Sequence, residues 1–121
     1  MNLIEGIKNF KVKREINKAL GTLADTFDHQ FSDTGEISSK VMEALNNHGL
    51  SASRVAVRAT NPNEYVPHKK SPRQMVHQFV LVNGKFAVDY PYCCVMPLEQ
   101  YKLEMYNLPK GGGIKLDFEF H

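Results

Sequence analysis

Asn83-Gly84 lies between two short runs of β-branched and aromatic residues, His77-Gln-Phe-Val-Leu-Val82 and Lys85-Phe-Ala-Val-Asp-Tyr90. An Asn-Gly pair so placed is among the strongest local signals for a β-hairpin, because both residues tolerate the positive φ that a tight turn needs. A hairpin brings its outer ends together, so His77 at the entrance and Asp89 at the exit are expected to be neighbours. The turn decides whether they share a face. A two-residue type I′ turn pairs Val82 with Lys85 and puts His77 and Asp89 on opposite faces, since side chains alternate along a strand. A three-residue loop, Val82-Asn83-Gly84, pairs Leu81 with Lys85 and sets His77 directly opposite Asp89. Asn-Gly fits both. Only the second register, or a bulge, gives a His–Asp pair able to hold an imidazole in one tautomer beside a nucleophile.

The remaining segments supply helices ahead of the hairpin and strands around it. Ile16, Leu20, Leu23 and Phe27 recur at helical spacing, predicting an amphipathic helix over 12–30. A second helix is predicted from Thr34 or Gly35 to Asn47, its apolar face made by Ile37, Val41, Ala44 and Leu45, with Gly49 as its stop. Arg54-Val-Ala-Val-Arg-Ala alternates as a strand. The segment from Thr60 to Pro72, with three prolines, reads as a surface loop. Between Pro91 and Pro97 a short irregular segment is expected, then a helix over 98–108, a Gly-rich turn, and a clean strand over 114–120. This order predicts a single α+β domain over 1–121, with N-terminal helices packed on a small, mainly antiparallel sheet of three central strands and a C-terminal strand.

Bulk properties exclude several classes. The 121 residues suffice for one core and not for two. Hydrophobic residues at 42% and charged ones at 23% match an ordinary globular chain, so disorder is not expected. A net charge of +2, with Lys69, Lys70 and Arg73 as the one local basic cluster, gives no basis for nucleic-acid binding. No apolar run is long enough for a transmembrane helix, and no secretory signal is visible. Adjacent Cys93 and Cys94 do not readily bridge each other and say nothing for an oxidising compartment. A cytoplasmic location is the expectation.

A helix, a strand, a His-bearing strand and an Asp-bearing strand, in that order, resemble the transglutaminase-like and papain-like thiol enzymes. In those families the nucleophile is a cysteine at the start of the helix, and a Gly-hydrophobic-x-Ala turn follows that helix. Here the turn is Gly49-Leu50-Ser51-Ala52, and Asp33-Thr34-Gly35-Glu36-Ile37 is similar to the cysteine-Gly-Glu opening, with Thr34 in the cysteine position. The resemblance spans about residues 33–92. It implies a hydrolase or acyltransferase acting on protein or peptide amides or thioesters, with His77 as base, Asp89 as its orienting group and an oxyanion hole at the backbone of residues 34–36. Thr34 departs from the pattern. A helix N-terminus favours a thiolate but leaves a threonine hydroxyl un-ionised, and an internal threonine lacks the terminal amine that such nucleophiles use. The plainer reading of Thr34, and the preferred one, is a helix N-cap.

Other residues offer alternatives. Cys93 or Cys94, four and five residues beyond Asp89, could return toward His77 as a thiol partner, or be inert. With His77 they make a poor zinc set, since zinc cysteines are usually spaced by two to four residues. No cofactor or metal is expected. His29, His48, His68 and His121 read as structural or solvated. Tyr90, Tyr92, Tyr101 and Tyr106 suit either a core or an interface. The competing expectation is therefore an inactive relative, or a non-enzymatic adaptor or inhibitor, that binds a protein or peptide target. The oligomeric state is not legible.

Overall fold

The computed structural model describes residues 3–21, 23, 34–70, 74–90, 94–106 and 115–120. Among them are three helices, α1 (Leu3–Gly21), α2 (Thr34–Asn47) and α3 (Leu98–Tyr106), and five strands. The strands are β1 (Ala52–Ala59), β2 (Val76–Val82), β3 (Phe86–Asp89), β4 (Cys94–Pro97) and β5 (Leu116–Phe120). They form one antiparallel sheet in the order β4-β3-β2-β1-β5. The fold is α+β, as its sequence predicts. None of the described helices is long and apolar enough to cross a membrane.

Alternation along β2 and β3 divides the core in two. Val80, Val82, Phe86 and Val88 point to one face and pack with Ile16 and Ala19 of α1 and Ile37, Val41 and Leu45 of α2. Phe79, Leu81 and Ala87 point to the other, where they meet Tyr101, Met105 and Tyr106 of α3, Val55 and Val57 of β1, and Val66. Both faces are covered, which explains why β2 and β3 read as nearly continuous apolar runs. Each valine or leucine so buried stabilises the fold by roughly 1.5–3 kcal/mol relative to exposure.

The hairpin adopts neither of the two registers expected. Asn83 (φ 54°) and Gly84 (φ 65°) are both left-handed, and the Lys85 N–H donates to the Val82 carbonyl at 3.0 Å, as in a type I′ turn. The ladder then resumes with Val82 opposite Phe86, not Lys85, and continues as Leu81–Ala87 and Val80–Val88. Lys85 is thus an extra residue, a bulge held by its carbonyl, which accepts from the Leu98 N–H at 3.0 Å. The shift restores His77 and Asp89 to the same face, as diagonal neighbours.

Two other expectations are corrected. Helix α1 begins at Leu3, nine residues before the predicted start, because residues 6–11 are half-buried or exposed and carry no buried stripe; residues 24–30 lie outside the described residues. The segment before Pro97 is the edge strand β4, paired with β3, where an irregular stretch was expected. Helix α2 matches its prediction and ends in a Schellman closure: Leu50 N–H to the Leu45 carbonyl and Gly49 N–H to the Asn46 carbonyl, both 3.1 Å, with Gly49 at φ 86°.

Candidate functional site

Three separate elements bring polar side chains together beneath α3. β2 supplies His77, β3 supplies Asp89, and the connection between β1 and β2 supplies His68. That connection is pinned at several points. The Val66 N–H donates to the Gln74 carbonyl at 2.7 Å, the His68 N–H to the Val66 carbonyl at 2.8 Å, and the Lys69 N–H to the Met105 carbonyl of α3 at 2.9 Å. The last bond lays the loop against the helix and turns His68 inward. His68, His77 and Asp89 are each fully buried.

The Asp89 carboxylate is the hub. Its Oδ2 accepts from the Tyr101 hydroxyl at 2.6 Å and lies 2.7 Å from His68 Nε2 and 2.9 Å from His77 Nε2; Oδ1 lies 3.1 Å from the same His77 nitrogen. Because Tyr101 gives its only proton to Asp89, the Tyr106 hydroxyl, 2.8 Å away, donates to Tyr101. His68 Nδ1 accepts the Lys70 N–H at 3.1 Å, so the ring carries its proton on Nε2 and donates it to Asp89. His77 Nδ1 lies 3.0 Å from Gln74 Oε1. The two imidazoles sit against each other, with centroids 4.2 Å apart, and Tyr106 closes over both edge-on.

These contacts set the charge states. Burial pushes the Asp89 carboxyl up, but the hydrogen bonds from His68 and His77, the charge interaction with His77 and the Tyr101 hydroxyl outweigh it and hold it below the usual carboxylate value. Burial pushes the Tyr101 hydroxyl well up, helped by Tyr106 and by the Asp89 charge, and burial does the same to Tyr106. The tyrosines are therefore neutral donors and the aspartate an anion. Among the described residues no buried side-chain nitrogen or oxygen lacks a partner.

The expected site residues separate. His77 and Asp89 do meet, but on the α3 face. Thr34 opens α2, which packs on the opposite face, so the sheet lies between that helix and the imidazole. Downstream of Thr34, Ser38 is buried in α2 and Ser39 accepts from Arg54 at 3.0 Å. Cys94 lies opposite Asp89 in the β3–β4 register, and Cys93 lies outside the described residues. His48 engages Glu15 of α1 at 2.7 Å, a bond that lowers the glutamate's pKa. His68 departs from the solvated role open to it: it is a full member of the cluster. Its signal in the sequence is slight, an apolar Val66 and Pro67 inside an otherwise polar loop.

The hydrogen bonds also bear on chemistry. In a His–Asp catalytic pair the aspartate engages one ring nitrogen and the other faces the nucleophile. Here Nε2 faces Asp89, Nδ1 faces Gln74, and the ring has no exposed surface. Compared with protein-family models, with curated proteins and with solved structures, the chain shows no significant match.

Proposed function

We propose that this protein works by binding a protein target and not by catalysis, with α1 as the contact surface and an acidic segment as the target. The observation that carries the reading is the burial of His77 with both ring nitrogens turned to Gln74 and Asp89. A general base must reach the proton that it abstracts, within about 2.6–3.2 Å or through one water. On this reading the likeness to thiol enzymes is one of element order, and the His–Asp pair has become part of the core.

Helix α1 supplies a surface suited to binding. Ile7 and Phe10 are 49% and 66% exposed. Around them stand Lys8, Lys11, Lys13, Arg14 and Lys18, and Glu15 is already engaged by Lys18 and His48. Phe10, Lys13, Arg14, Asn17 and Lys18 line an open groove of about 590 Å³. An apolar anchor ringed by cations complements an acidic segment carrying one or two apolar residues.

The test pairs two assays on the purified protein. Acylating probes for thiols and hydroxyls are expected to give no labelling that depends on His77. An array of acidic peptides with aromatic or aliphatic anchors is expected to yield binders that Phe10→Ala weakens at least about tenfold, the scale of a central anchor residue. Labelling abolished by His77→Ala would return the protein to the hydrolase class.

A further inference from the structure

We propose that His68, His77 and Asp89 form a closed binding site for one divalent metal ion of the zinc type. The site is independent of the α1 surface and of any target bound there. Three donors from a loop and two strands place ligand atoms within 4.8 Å of one another, all buried. Donors held about 2.0–2.2 Å from a tetrahedral zinc stand roughly 3.3 Å apart. The observed separations of 2.7 and 2.9 Å between the two Nε2 atoms and Asp89 Oδ2 need widening by about half an ångström.

The hydrogen-bond geometry of His77 points the same way. Its ring lies between two acceptors, Gln74 Oε1 and the Asp89 carboxylate, whereas a neutral imidazole has one N–H. In the metal-free protein Nε2–H donates to Asp89; with the proton moved to Nδ1 and given to Gln74, the Nε2 lone pair is released to coordinate a cation held by the same carboxylate. Gln74 then does what outer groups do at metal histidines: it fixes the tautomer and aims the coordinating nitrogen. Tyr101, donating to Asp89, holds the carboxylate in the same manner. Asp89 Oδ2 carries three contacts of 2.9 Å or less, which coordination would share between both carboxylate oxygens.

His68 sets the cost of loading. To coordinate through Nε2 it must move its proton to Nδ1 and give up the Lys70 N–H, so the loop at Lys70 shifts when metal enters. Two imidazoles and a carboxylate favour zinc-like ions over magnesium or calcium, which prefer all-oxygen sets. Complete burial marks a structural site, in which bidentate Asp89 completes four-coordination.

The experiment refolds the protein with Zn²⁺ or Co²⁺, removes excess ion, and measures metal content, the Co²⁺ visible spectrum and competition with a chromophoric chelator. One ion per chain with a four-coordinate Co²⁺ spectrum is expected, lost in His68→Ala. Gln74→Ala, at a half-buried position outside the ligand set, keeps the fold and weakens affinity about 10–100-fold. If His68→Ala fails to fold, Gln74→Ala carries the test alone. Absence of stoichiometric metal in the refolded parent overturns the site. So does metal binding that Gln74→Ala leaves unchanged.

Discussion

Tyr101 donates to Asp89 Oδ2 across 2.6 Å, the shortest of the contacts that hold this carboxylate in the core. A hydrogen bond to a charged partner contributes about 1.5–3 kcal/mol, and one between neutral groups about 0.5–1.5 kcal/mol. Tyr101→Phe is therefore expected to destabilise the chain more than Tyr106→Phe, whose hydroxyl meets only another phenol among its described partners. Urea unfolding of the two variants measures the difference. Equal losses would mean that the Tyr101–Asp89 bond has no special weight.

Removing the hub is more severe. Asp89→Ala strands the donors of His68, His77 and Tyr101 inside the core. Breaking a buried charged network from one side costs about 3–5 kcal/mol. That is a large fraction of the 5–15 kcal/mol that holds a typical domain folded. A midpoint within error of the parent in urea would show that the carboxylate is not held as described.

Acid should act through the same group. The Asp89 carboxyl has a lower pKa folded than unfolded, so between the two values the unfolded chain binds more protons and stability rises with pH. Its contribution is fully present above the unfolded value of about 3.9. It fades as pH falls from there through the folded value. Unfolding free energies of the parent and of Asp89→Asn, compared between neutral pH and pH 2, should converge at the acid end. Parallel curves would assign acid lability to other carboxylates.

Two glycines separate backbone requirement from helix propensity. Gly49 closes α2 at φ 86°, where an L side chain is strained whatever the space around it. Gly49→Ala is expected to destabilise by about 1–2 kcal/mol. Gly6 lies inside α1 with open space where a Cβ would stand, so Gly6→Ala should stabilise by about 0.8–1.0 kcal/mol. Thermal unfolding of both variants reads the opposite signs directly.

What the sequence revealed of the site was its local part. Asn83-Gly84 announces the hairpin, and the approach of His77 to Asp89 follows from chain geometry. The bulge at Lys85 that puts them on one face depends on the contact between its carbonyl and Leu98, a tertiary bond with no local signature. Parity groups His77 with Phe79 and Leu81, but with both faces apolar it does not say which helix covers them. That choice separates α2, and Thr34 with it, from the imidazole. His68 reads from the sequence as structural or solvated and not as a site residue, because the bond that lays its loop on α3, Lys69 N–H to the Met105 carbonyl 36 positions later, has no local signature.

The central claim is that His68 and His77 are sealed core residues, whereas His48 is a surface one, its side chain 33% exposed. Acylation of histidine rings by diethylpyrocarbonate, mapped by mass spectrometry on the native protein, tests it directly. The account predicts modification at His48 and protection of His68 and His77 until the chain is unfolded in urea. Modification of His77 in the native state as fast as that of His48 would contradict it, and would reopen a catalytic role for the His77–Asp89 pair.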